Sequence, residues 1–149
     1  MRRERDGCDA SQVVERHISG AASRDTGASR ESTLAAGHAL CVASNGRTRY
    51  VETVIATYGV ADLFLPRVTA DDVGDKTAIL RHYLTTLPAD PRRTVMVGDR
   101  ASDVDAARAV GCAFIGCDYG HGHRQEIEHA GPLVQDFAAL RAVIASLLA

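Results

Sequence analysis

The stretch TVMVGDRASDVDAARAVG, residues 94–111, sets two carboxylates four residues apart, Asp99 and Asp103, immediately after an apolar run that stops at Gly98. Upstream, Lys76 opens a helical pattern behind the acidic loop DDVGD, and Ser44 and Asn45 close another apolar run, ALCVAS. Paired carboxylates beside a glycine turn, with a hydroxyl and an ammonium, suit a hard cation and a phosphate. Mg²⁺ takes one or two carboxylates together with waters and phosphate oxygens. A serine hydroxyl and the backbone amides beyond a strand end can donate to phosphate oxygens, and a lysine offsets their charge.

Each of these residues also has a plainer reading. Ser102 and Asp103 stand where a helix begins, and such residues cap free amides and suit the helix dipole. Asn45 and Gly46 make an ordinary turn. Capping explains Asp99 less well, because it precedes the helix and directly follows a buried strand, where an unpartnered carboxylate is costly. A cation at a helix N-terminus opposes the dipole, yet Lys76 is the one lysine beside sixteen arginines, which points to a use for a compact charge. In the loop DYGHGH, His121 and His123 have no third ligand at suitable spacing, so the loop reads as a flexible glycine turn rather than a metal site.

The elements that must position these residues follow from the pattern. Continuous apolar runs bounded by turn residues mark buried strands: Ala39–Ser44, a weaker one at Arg67–Ala70, then TVMV, CAFIG and PLV. Between them lie helical stripes. RTRYVETVIATYG carries Tyr50, Val51, Val54, Ile55 and Tyr58 on one face and stops at Gly59. KTAILRHYLTTL carries Ile79, Leu80, Tyr83, Leu84 and Leu87 and ends at Pro88. Further helices are expected over Ser102–Val110, Gln125–His129 and Phe137–Leu148. Strands alternating with helices predict an α/β fold, a parallel Rossmann-like sheet with helices on both faces. In such sheets ligands bind at the carboxyl ends of the strands. Residues 1–37 are rich in Arg, Ser, Gly and Ala and read as an irregular leader with at most one weak helix over Ser11–Ser19, ahead of a core spanning 38–149.

Composition narrows the function. With 149 residues, 46% of them hydrophobic and 24% charged, and a net charge of −2, the chain has the balance of a soluble globular domain. It shows neither the basic excess of a nucleic-acid binder nor an apolar segment of bilayer length. The charged start MRRERDGCDA has no apolar stretch behind it, so no signal peptide is expected. Cys8, Cys41, Cys112 and Cys117 show no zinc-binding spacing and fit free thiols in a reducing cytoplasm.

Taken in order, the motifs resemble the haloacid dehalogenase (HAD) superfamily, most closely its phosphoglycolate phosphatase-like branch. ALCVASNG resembles the family's second motif, ending in Ser44. DVGDKTAIL resembles the third, with Lys76. VMVGDRASDVDAARAVGC is similar to the fourth, Gly-Asp-x-x-x-Asp, with Asp99 and Asp103. FIGCDYGHG and EIEHAGPLVQDFAAL extend the likeness, which covers about residues 34–148. The resemblance implies a Mg²⁺-dependent phosphatase of small phosphorylated metabolites, in which an aspartate nucleophile forms a phosphoaspartate that is then hydrolysed. Asp99 would hold the metal, Asp103 would assist directly or through water, Ser44 and Asn45 would bind phosphate, and Lys76 would neutralise charge between nucleophile and phosphate.

The first motif of that family, an apolar strand ending in Asp-x-Asp-Gly-Thr, is not found. RDGCDAS holds Asp6 and Asp9 in the wrong order without a strand, and SRDTGAS holds Asp25, also without a strand. The latter matches the Asp-Thr-Gly-Ala of retroviral-type aspartic proteases but lacks their flanking apolar strands. The expected fold is therefore a capless HAD-type sheet that is missing or substituting its central strand, between those ending at Ser44 and Asp99. The gap is open to the leader, to another chain or to nothing, and an incomplete sheet predicts association as a homo-oligomer or with a partner chain that completes it. The other outcome weighed is a non-catalytic HAD-like remnant or binding subunit that keeps affinity for metal or phosphate without turnover.

Overall fold

The computed structural model describes residues 38–149; the leader and its weak helix lie outside them. Helix α1 (Thr48–Thr57) and a 3₁₀ turn (Ala61–Leu63) are followed by the short α2 (Ala70–Val73) and by α3 (Lys76–Thr86). Strand β1 (Val95–Gly98), α4 (Ala101–Val110), β2 (Ala113–Cys117), the short α5 (Arg124–Ile127), β3 (Leu133–Val134) and α6 (Phe137–Leu147) complete the chain. The strands form one parallel sheet in the order β1-β2-β3, with Gly98 level with Gly116, and Cys117 level with Val134.

Alternation along the strands assigns the two faces. Met96 and Phe114 point to one side, where they join Leu80 of α3, Val104, Ala106 and Ala107 of α4, and Ile127 of α5. Val95, Val97, Ile115 and Cys117 point to the other, against Leu140 and the apolar stripe of α6. Burial on both faces is why these strands read as unbroken apolar runs. Gly111 adopts a left-handed conformation, φ 75°, at the end of α4, which lets the chain turn into β2. Gly59 does the same after α1, at φ 61°.

Two expected strands are corrected. Ala39–Ser44 and Arg67–Ala70 pair with no strand among the described residues. Instead Val42 is buried with Val51, Ile55 and Val60 in a cluster around α1, and Leu40 is tied by its carbonyl to the Leu65 amide at 2.9 Å. Ala70 begins α2, with Thr69 at its N-cap, where the Asp72 carboxylate accepts from both the amide and the hydroxyl of Thr69 at 2.8 and 2.9 Å. A strand exists only where a ladder partner does. The Thr94 carbonyl accepts the Ala113 amide at 3.1 Å; strand alternation then turns the backbone groups of Val95 and Val97 to the opposite edge of β1, with which no described strand pairs. Two stripe residues are also corrected: Tyr50 and Leu87 are 40% and 38% exposed, each sitting at the end of its helix, where the packed surface runs out.

Candidate active site at the carboxyl end of the sheet

The parallel sheet brings the ends of β1 and β2 to one rim, and the chemistry gathers there. Asp99 follows β1 directly and is buried. The chain then turns into α4, whose third residue, Asp103, reaches back: its Oδ2 accepts the amides of Asp99 and Arg100, both at 3.1 Å. This satisfies amides at the start of the helix, so the capping reading of Asp103 is correct as far as it goes. Its other oxygen does something capping does not need. Lys76 Nζ lies 2.6 Å from Asp103 Oδ1 and 3.4 Å from Ser102 Oγ, and both charged side chains are almost wholly buried. Burial holds the Asp103 carboxyl above the usual carboxylate range, and the Lys76 ammonium and the Arg100 amide offset part of that rise.

Lys76 reaches this position because Asp75 caps α3, its carboxylate accepting the Ala78 amide at 2.8 Å. Asn45 is exposed, and its Oδ1 accepts the Lys76 amide at 3.1 Å, which ties the turn after Ser44 to the start of α3. Ser44 is buried, and its Oγ accepts the Gly46 amide at 2.9 Å. Lys76, Asp99 and Asp103 thus form one contiguous group, with Asn45 joined to it through backbone.

The loop after β2 holds the remaining parts, which the sequence reading passed over as a flexible turn. The amides of His121 and Gly122 donate to Asp99 Oδ2 at 2.6 and 2.9 Å. A Cβ at Gly120 would overlap the Asp99 side chain, one at Gly122 the Asp99 carbonyl, and one at Gly98 the Asp103 carboxylate. Glu126 Oε2 accepts the Ala101 amide at 3.1 Å, joining α5 to the start of α4. The available signal was topological. If TVMV and CAFIG are adjacent parallel strands, the loop after the second must lie beside Asp99.

One atom of the site is left over. Asp99 Oδ1 is buried and has no hydrogen-bond partner, a costly state for a carboxylate oxygen unless a cation meets it. A bare hard carboxylate oxygen is the kind of ligand that Mg²⁺ takes beside waters and phosphate oxygens. Among the described residues no three His, Cys, Asp or Glu side chains gather into a cage for a metal ion, and Cys41, Cys112 and Cys117 form no disulfide.

Comparison with known proteins agrees with this geometry. Residues 75–142 match the HAD-hydrolase-like family model. The chain is 31% identical over 113 residues to a phosphoglycolate phosphatase of Haemophilus influenzae, covering 72% of this chain and 50% of that protein. It is also 31% identical over 107 residues to one of Vibrio vulnificus, covering 70% and 46%. The chain thus spans about half the length of the curated relatives it matches. Its fold matches a predicted phosphatase from Clostridium acetobutylicum at TM-score 0.73 and 25% identity, over 83% of this chain and 59% of that one. A predicted phosphoglycolate phosphatase from Haemophilus somnus shares the fold at TM-score 0.72 and 23% identity, over 80% and 56%. No helix among the described residues is long and apolar enough to cross a membrane. By the matching segment, the phosphoglycolate phosphatase relatives and the shared parallel α/β fold, this chain belongs to the HAD-like superfamily.

Proposed function

We propose that this chain carries the metal- and phosphate-holding half of a cytoplasmic HAD-type phosphatase acting on small phosphate monoesters of the phosphoglycolate class. The observation behind the reading is the buried Lys76–Asp103 pair beside Asp99, whose Oδ1 alone is uncommitted. Asp99 Oδ1 would hold Mg²⁺, which when bound supplies positive charge to the phosphoryl oxygens. Lys76, fixed at the first turn of α3, directs its ammonium into the same buried space and balances anionic charge there. Asp103 positions both neighbours, holding Lys76 through one oxygen and the backbone of Asp99 through the other. Ser44 would donate its hydroxyl to a phosphate oxygen, and Asn45 keeps the start of α3 against that turn. Such a site works by positioning and charge neutralisation, on which phosphoryl transfer mainly depends.

The attacking carboxylate is assigned to Asp6, Asp9 or Asp25, or to a partner chain or second copy that pairs along the outer edge of β1. A second reading, a binding subunit without turnover, is favoured by one observation: three of the four carboxylate oxygens of the described site are engaged, and the metal reading takes the fourth, Asp99 Oδ1. Asp103 is held by Lys76 and two amides, and Asp99 by two loop amides.

The test is hydrolysis of an aryl phosphate by the full chain with Mg²⁺, beside Asp99→Ala and a chelator control. Turnover lost in both controls supports the enzyme. A folded chain that binds Mg²⁺ without turnover supports the binding subunit, and a folded chain that does neither overturns both.

A further inference from the structure

The loop Asp118–His123 does more than cover the site. We propose that it makes Asp99 a one-oxygen ligand and thereby selects Mg²⁺ over Ca²⁺, an inference that rests on the Mg²⁺ reading above. Asp99 Oδ2 is saturated by the His121 amide at 2.6 Å and the Gly122 amide at 2.9 Å, whereas Oδ1 is buried and bare. A carboxylate held in this way cannot turn to offer both oxygens to one ion. Ca²⁺ takes six to eight oxygens and readily accepts a carboxylate through both, whereas Mg²⁺ keeps a near-octahedral shell that one oxygen and several waters complete. A clamp on Oδ2 therefore penalises the larger ion far more than the smaller.

The loop is built to hold that clamp. Gly120 and Gly122 lie so close to Asp99 that a side chain at either would displace it. On the far side of the loop, Arg124 Nη1 pairs with Asp118 at 2.7 Å and its Nε with Glu128 at 3.2 Å, bracketing residues 118–124. Glu126 then fastens the following segment to Ala101, two residues beyond Asp99. His121 and Gly122 act here through backbone, as positioning residues for Asp99.

The experiment uses the full chain with Mn²⁺ as a spin-active probe, displaced in separate titrations by Mg²⁺ and by Ca²⁺, with folding followed by circular dichroism. His121→Pro removes the shorter of the two donors. Arg124→Gln, at a side chain 56% exposed, loosens the loop without touching the site, and Arg124→Lys restores a charge opposite Asp118. Changes to groups that orient a metal ligand commonly cost about ten- to a hundredfold in affinity. His121→Pro is expected to weaken Mg²⁺ by about tenfold while Ca²⁺ changes less, so that the preference collapses. Arg124→Gln should shift it in the same direction by a smaller factor, and Arg124→Lys should recover it. An unchanged preference in His121→Pro and Arg124→Gln, or equal losses for both ions, overturns the clamp. If His121→Pro does not fold, Arg124→Gln decides alone. A wild-type chain that binds no Mn²⁺ overturns the Mg²⁺ reading itself, a separate failure from that of the clamp.

Discussion

Two segments end in a buried polar residue at the site, and they are held in different ways. β1 delivers Asp99 from within a ladder, with Gly98 level with Gly116 of β2 and helices closing both faces. The segment 39–44 delivers Ser44 without a ladder partner among the described residues. Its Val42 is buried in the separate cluster around α1, and its link to the acidic group runs through Asn45 to the Lys76 amide. The first arrangement is over-determined: side-chain ion pair, cap, loop amides and strand register all fix Asp99 and Asp103. The second depends on packing, with Val42 in the cluster around α1 and Ala43 against the main core, and on a few hydrogen bonds. The difference locates the rigid part of the site at the β1–α4 junction and the adjustable part at the Ser44 turn.

The sharpest way to break that contrast is at Lys76. Replacing it by Met leaves Asp103 buried without its counter-charge, a loss of about 3–5 kcal/mol for a buried pair deprived of one partner. Urea denaturation of Lys76→Met should show a large fall in midpoint; a change no greater than that of a surface substitution would mean the pair is not closed in solution. Hydrogen exchange compares the two segments directly. Peptides covering Ala113–Cys117 should exchange only with global unfolding, and those covering residues 39–44 at least about a hundredfold faster, by local opening. Equal protection would mean that the 39–44 segment finds a ladder partner.

Asn45→Ala removes one acceptor at the edge of the group and should cost about 1 kcal/mol, well below Lys76→Met in the same denaturation experiment. A cost as large as that of Lys76→Met would erase the distinction between the regions. The smallest effect belongs to the Glu52–Arg67 pair, which joins α1 to the chain after it with contacts of 2.6 and 2.8 Å. The Arg67 guanidinium holds the half-exposed Glu52 carboxyl below its ordinary value of 4.5. Because the folded value is depressed, the contribution is complete above that ordinary value and fades as pH falls through the folded one. With solvent screening it amounts to under about 1 kcal/mol. Glu52→Gln should lower stability by that amount at neutral pH and converge on the wild type as pH falls toward 3, as thermal melts at pH 3 to 7 can read.

Most of the site was legible because its residue types are unusual for their places. A carboxylate directly after a buried strand and a single lysine at a helix start both conflict with local preference, and those conflicts pointed to Asp99 and Lys76. Apart from the short α2, which was read as a strand end and a loop, the helices were legible from their apolar period, with ends displaced by a residue or two, as at Ala101–Val110 and Arg124–Ile127. The Asp118–His123 loop was not legible as part of the site, because amides carry no side-chain signature. Glycines that make room for a carboxylate read like glycines in any turn.

By itself the sequence determined the parallel α/β class, since strands buried on both faces need continuous apolar runs and crossover helices need their own apolar stripe. It also determined that Asp99 would stand directly after a buried strand, because the apolar run and its glycine stop are local. Only the tertiary structure decided that Val95–Gly98 is a strand in a sheet, whereas Ala39–Ser44 pairs with no strand among the described residues, because a strand is defined by hydrogen bonds to a neighbour distant in sequence. It alone decided that Asp103 takes Lys76 and two amides while Asp99 keeps one oxygen bare. That division follows from distances between α3, α4 and the loop after β2, which no local pattern contains.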